Sequence, residues 1–167
     1  MSIIGIMSCD ANGIIGANSK IPWYYHEDLE FFNKTTYQQI MIMGRKTFES
    51  LPNSILSNRF NIIFSKTIDL SSPNTIFVKS IKDFLELKNL PQNKQYYMIG
   101  GGEVARLFLE ANLIDEFLLT KFKKSYQGDT SLSLELLQNH QHTIVKTNDN
   151  FVIYRYFLDT NLILKHA

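Results

Sequence analysis

Residues 95–113 read QYYMIGGGEVARLFLEANL, and the reading of this stretch decides the fold. Tyr96 to Ile99 form a continuous apolar and aromatic run, the composition of a strand covered on both faces. Gly100, Gly101 and Gly102 then break the chain. Behind them Val104, Leu107, Phe108 and Ala111 recur at helical spacing, which predicts an amphipathic helix with those four on its buried side. Strand, glycine turn and helix in succession are the repeating unit of an α/β domain.

The same alternation extends in both directions. Towards the N-terminus, TIFV (75–78), NIIFS (61–65) and IMIM (40–43) read as buried strands. Ser80 is the expected N-cap of a helix IKDFLELKNL that Pro91 closes, and GRKTFES (44–50) is a glycine turn entering a short helix. HEDLEFFNKT (26–35) predicts a further short helix with Glu27 and Asp28 in its first turn, where the helix dipole favours negative charge. Ile3 to Ser8 read as a strand that runs into the long loop CDANGIIGANSK. Towards the C-terminus, EFLLTKF (116–122) is a strand, and HTIVK and FVIYRYFL flank TNDN as an antiparallel hairpin. The expected architecture is an α/β fold with a central, mostly parallel mixed sheet, flanking helices and an antiparallel C-terminal hairpin, its ligands beyond the carboxyl ends of the strands.

Composition bounds the function. The 167 residues are 44% hydrophobic and carry 17 basic against 16 acidic groups, which predicts one domain and gives no electrostatic reason to bind nucleic acid or a membrane. The N-terminal run MSIIGIMSCD is short and has no basic region, and no stretch approaches a membrane span. Cys9 is the one cysteine, so no internal disulfide is expected and a reduced, cytoplasmic setting is the default. Cys9 itself reads as a small buried hydrophobe. His140 and His142 lack a completing carboxylate or thiolate, so they read as a solvated loop and no metal is expected.

Three groups of residues could carry chemistry. Gly100 to Gly102, at a strand-to-helix junction, could bring backbone amides close to a pyrophosphate, or could be a turn that chain geometry requires. Gly44, Arg45, Lys46 and Thr47, with Ser65 and Lys66 at the next junction, could hold a second phosphate, or could be solvated loop ends. Asp28 stands among Trp23, Leu29, Phe31 and Phe32. It is either a desolvated carboxyl suited to an amidine-like ligand or an ordinary helix-start acid.

Taken together, ANGIIGANSKIPW, HEDLEFFNKTT, IMIMGRKTFESLP, SNRFNIIFS, FVKS, YYMIGGGEV, LLTKF and GDT follow one another in the order and spacing of a known family. Over Ile3 to about Thr130 the chain resembles dihydrofolate reductase. The resemblance implies that family's three-layer fold over 1–167, with 159–167 an additional tail. It also implies NADPH as cofactor, 7,8-dihydrofolate as substrate, antifolates as inhibitors and a monomer.

By position, it implies that Asp28 is the pterin-binding carboxyl, that Trp23 packs at the cleft mouth and holds a water, and that Arg59 grips the α-carboxylate of the glutamate tail. Ile6, Met7, Leu29, Phe32, Ser50, Leu56, Ile99 and Thr120 would complete the substrate site. For the cofactor it implies Ser8, Ile15, Gly16, Asn18, Ser19 and Lys20 on the loop side. Gly44, Arg45, Lys46, Thr47, Ser65, Lys66 and Lys79 would lie around the 2′-phosphate region. Ile99, Gly100, Gly101, Gly102, Glu103, Val104 and Thr130 would lie around the pyrophosphate and nicotinamide. Ala105 stands where the family usually has an aromatic residue, Glu103 where a basic one sometimes occurs, and His26 where proline is common. Two other functions compete: a reductase of the same fold acting on another pteridine or a pyrimidine, and a folate- or NADPH-binding protein without useful turnover.

Overall fold

The structure is a computed structural model that describes residues 1–16 and 25–158. In chain order its elements are β1 (Ile3–Cys9), β2 (Ile14–Gly16), α1 (His26–Thr36), β3 (Ile40–Gly44), α2 (Arg45–Ser50), α3 (Asn53–Leu56), β4 (Phe60–Phe64) and β5 (Thr75–Val78). There follow α4 (Ile81–Leu85), β6 (Tyr96–Gly100), α5 (Gly102–Glu110), β7 (Glu116–Phe122), β8 (Thr130–Ser131), β9 (Gln141–Thr147) and β10 (Phe151–Phe157). Eight strands form one sheet in the order β5-β4-β3-β6-β1-β7-β10-β9, and β2 and β8 make a separate small pair. The six strands from β5 to β7 are mutually parallel, while β10 and β9 continue the sheet antiparallel.

The continuous apolar runs follow from this layering. On β3, Ile40 and Ile42 pack towards α4 and α5 with Phe84 and Phe108, and Met41 and Met43 pack on the other face with Phe32, Phe48 and Leu56 of α1, α2 and α3. Because successive side chains of a strand point to opposite faces, a sheet covered twice needs both sets apolar. Phe64, Phe84 and Phe108 close the first layer, with Phe108 5.4 Å from each of the other two rings. Cys9 is fully buried, and that burial raises its thiol pKa to about 12.

Local structure follows the sequence in most places and departs from it in four. Ser80 caps α4 through its Oγ, which accepts the Asp83 N–H at 3.1 Å, but the helix stops at Leu85 instead of reaching Leu90. Leu87 and Leu90 turn in against the core and Asn89 takes a positive φ of 61°, neither of which a continued helix would permit. In α5 the buried residues are Val104, Ala105, Phe108 and Leu109, whereas Leu107 and Ala111 are exposed. The helix is thus rotated on the sheet by about one position from the expected face. The β2–β8 pair was not legible as strands, and His142 lies in β9, not in a loop, with its ring 5.2 Å from that of Tyr156. The TNDN turn forms as expected, Asn148 Oδ1 accepting the N–H groups of Asn150 and Phe151. Among the described residues no helix is long and apolar enough to cross a membrane.

Candidate active site

Six parallel strands place their carboxyl ends along one edge of the sheet, and almost every candidate residue falls on that edge. Lys79 follows β5, Ser65 and Lys66 follow β4, Gly44 to Thr47 follow β3, and Gly100 to Gly102 follow β6. On β1 and β7, Ser8 pairs with Thr120. α1 runs back against the strands, so its first turn, with Asp28, stands at this same edge.

Asp28 is partly buried and hydrogen-bonded to Thr120, a β7 residue only 2% exposed. Burial pushes its carboxyl pKa above the ordinary range, and the Thr120 bond offsets part of that. The floor beneath is apolar. Ile6, Phe32 and Ile99 belong to one cluster with Tyr97, Leu118 and Phe31, and Phe32 and Ile99 also meet Leu56, Phe48, Leu51 and Ile55. Leu29 and Ser50 lie on the exposed rim, where Ser50 Oγ donates to the Thr47 carbonyl at 2.7 Å.

Arg59 is 5% exposed, unusual for a cation. Its Nε donates to Thr36 Oγ1 at 3.0 Å, Nη1 to the Ile55 carbonyl at 2.9 Å and Nη2 to the Asn33 carbonyl at 2.9 Å. All three acceptors are neutral, and no acid pairs with Arg59 among the described residues. Burial lowers its pKa. A guanidinium carries five N–H donors, so one on each terminal nitrogen remains for a carboxylate.

The two glycine turns abut. A Cβ built on Gly44 would lie 3.2 Å from Val104 Cγ2, and one on Gly101 3.5 Å from Thr47 Oγ1. Gly100, at φ +112°, lies directly over Met7, whose Cε would be 2.8 Å from a Cβ there. Gly102 lies against Ile15, Thr130 and Ser131. Gly101 caps α5 with no side-chain hydrogen bond, so the first amides of that helix are left for an external acceptor. The space a Cβ would occupy, the open amides and the neighbouring hydroxyl of Thr47 fit the pyrophosphate of a dinucleotide. Lys46, Lys66 and Lys79 are exposed without an ion pair among the described residues, while Arg45 is bonded to Glu49 at 2.9 Å. Glu103 is exposed in the first turn of α5.

Trp23, Asn18, Ser19 and Lys20, and the tail 159–167, lie outside the described residues. Ala105 is fully buried in the core cluster with Val104 and Phe108. Among the described residues no group of three or more His, Cys, Asp or Glu side chains could hold a metal. Sequence reasoning missed Asn33, Thr36 and Ile55, the partners of Arg59: the first two lie more than twenty positions away, and the third, four residues before it, contributes only its backbone carbonyl. It also missed Asp10. That fully buried carboxylate accepts the N–H groups of Asn12 and Ile14 on Oδ1, both at 2.8 Å, and of Tyr126 on Oδ2 at 2.7 Å. Its place in a Gly- and Asn-rich loop was the one available hint.

A parallel sheet with abutting glycine turns and a desolvated acid at its carboxyl edge defines a class, the α/β proteins with a ligand cleft across their strand ends. Comparison with known proteins narrows it. A family profile described as dihydrofolate reductase matches residues 2–154. The chain is 34% identical over 145 residues to a dihydrofolate reductase of Ureaplasma parvum, covering 87% of this chain and 90% of that one. It is 36% identical over 125 residues to one of Bacillus subtilis, covering 74% and 71%. It is 32% identical over 153 residues to a bifunctional dihydrofolate reductase-thymidylate synthase of Paramecium tetraurelia, covering 90% of this chain and 33% of that longer one. The chain belongs to the dihydrofolate reductase family and is an oxidoreductase.

Proposed function

We propose that this chain reduces 7,8-dihydrofolate to 5,6,7,8-tetrahydrofolate with NADPH, as one cytoplasmic, monomeric domain that supports one-carbon metabolism and thymidylate synthesis. The observation that carries the reading is Asp28, a partly buried carboxyl bonded to Thr120 beside an apolar floor. The pterin lies on Ile6, Phe32 and Ile99, with its 2-amino group and ring nitrogen turned to Asp28. The raised pKa keeps a proton available there further towards neutrality, which favours protonation at N5. When bound, NADPH supplies a hydride from nicotinamide C4 to pterin C6, so that the C6=N5 double bond gains one hydride and one proton. Gly100 to Gly102 hold the pyrophosphate, and Arg45, Lys46, Thr47, Ser65 and Lys66 the 2′-phosphate. Arg59 takes the α-carboxylate of the glutamate tail. Antifolates occupy the same cleft through Asp28.

The test is oxidation of NADPH by purified protein, followed by absorbance with and without 7,8-dihydrofolate, with NADH in parallel. Turnover that requires dihydrofolate and favours NADPH is expected. Absence of turnover with either cofactor would refute the assignment, and equal rates with both would refute the 2′-phosphate residues.

A further inference from the structure

We propose that Tyr126 is a positioning residue, which clasps the two ends of the chain between β1 and α1 and so sets where Asp28 stands against Thr120. The role rests on the substrate-binding assignment of Asp28 given above.

Two contacts of Tyr126 make the clasp, and two neighbouring bonds run beside it. The Tyr126 phenol meets the Tyr25 phenol at 2.9 Å, and the Tyr126 backbone N–H donates to Asp10 Oδ2 at 2.7 Å. Asp10 is the first residue after β1 and Tyr25 the N-cap of α1, so one residue of the β7–β8 connection touches both ends. The Ala11 N–H donates to the Lys124 carbonyl at 3.3 Å, and Asn12 Nδ2 donates to Ser125 Oγ at 3.2 Å.

The consequence for Asp28 follows from where Tyr25 sits. Tyr25 has no side-chain cap bond, and its carbonyl accepts the Leu29 N–H at 3.1 Å as the helix opens. The first turn therefore goes where Tyr25 goes. Its ring stacks on Phe122 at 4.4 Å and 19°. Phe122 is two residues beyond Thr120 on β7, and its ring meets that of Phe151 at 5.6 Å. Stacked rings resist separation but slide over one another at little cost. A directional phenol–phenol bond to a residue that Asp10 holds by its backbone removes the sliding. Asp28, three residues beyond Tyr25, is thereby held in register with Thr120.

The test uses Tyr126→Phe, Tyr25→Phe, the double variant and, as a control in the same connection, Ser125→Ala. Phenylalanine at 126 keeps the ring that lies 5.3 Å from Lys124 Nζ and removes only the hydroxyl. Each single variant should lower kcat/KM for dihydrofolate about tenfold with KM for NADPH nearly unchanged, since small misplacements of reacting groups are costly. The double variant should be no worse than either single one, because both remove the same bond. Ser125→Ala should match the unmodified chain. Unchanged dihydrofolate kinetics in both single variants, or multiplied effects in the double variant, would overturn the clasp. An unmodified chain that neither reduces dihydrofolate nor binds folate by fluorescence titration would instead overturn the proposed function, and the clasp with it.

Discussion

Arg59→Lys separates recognition of the substrate's tail from recognition of its pterin. In the structure the guanidinium already commits Nε, Nη1 and Nη2 to Thr36, Ile55 and Asn33. Those bonds fix the plane of the fork and aim the remaining donors. Lysine has three N–H donors on one rotatable head, so it cannot satisfy three diverging acceptors and still present a parallel pair to a carboxylate. Loss of one charge-assisted bond costs about 2 kcal/mol, or ~30-fold in kcat/KM for dihydrofolate. The assay compares kcat/KM for dihydrofolate with that for a reduced pterin lacking the glutamate tail, in the native and Arg59→Lys proteins. The penalty should appear only with the tailed substrate. An equal loss on both substrates would show that Arg59 only braces α1 and α3, and no loss on either would remove it from the site.

Asp28→Asn should lower turnover at neutral pH by about 100-fold or more, and in the native chain turnover should fall as pH rises through the raised pKa of Asp28. The same shift acts on stability. The folded carboxyl holds its proton more tightly than the unfolded one, so its contribution is fully present below the unfolded pKa and is lost as pH rises through the folded value. Denaturant midpoints should show that slope in the native chain and lose it in Asp28→Asn. Gly100→Ala should cost about 2 kcal/mol in urea unfolding. Most of that comes from the φ of +112°, because Met7 Cε is the movable end of a flexible side chain. Asp10→Asn turns one acceptor on a buried side chain into a donor facing a partly buried amide, and should cost about 2 kcal/mol while speeding hydrogen exchange at Asn12, Ile14 and Tyr126.

What could be read in the sequence was what is encoded locally. β5 and β7 have the expected boundaries because each is a short run dominated by β-branched, aromatic and leucine side chains between polar connections. The Ser80 cap and the Asn148 turn were legible for a similar reason, since each side chain bonds backbone within three residues. The β2–β8 pair was not. It is held by Asp10 and by bonds such as Leu132 N–H to the Gly13 carbonyl, which join residues more than a hundred positions apart. The face of α5 was misread because Val104, Leu107, Phe108 and Ala111 make a satisfactory stripe, and so do Val104, Ala105, Phe108 and Leu109. Only the sheet beneath chooses between them. In the cleft, Asp28 and the glycine turns stood out by residue type, whereas the settings of Arg59 and Tyr126 depend on partners such as Asn33, Thr36, Tyr25 and Asp10 that lie far away in the chain.

The burial of Cys9 gives the molecule a gauge of its own opening. With a pKa of about 12 the thiol holds almost no thiolate at neutral pH, and a reagent can reach it only when β1 parts from its neighbours. Cys9 pairs with Lys121 on β7, near the middle of the eight-stranded sheet, so labelling reports how often the molecule's interior is breached. There is one thiol to count, and no reporter has to be added. Ligands that bind only the closed sheet should slow the labelling in proportion to their occupancy, so the reaction would rank folates, nucleotides and inhibitors by affinity with no turnover required.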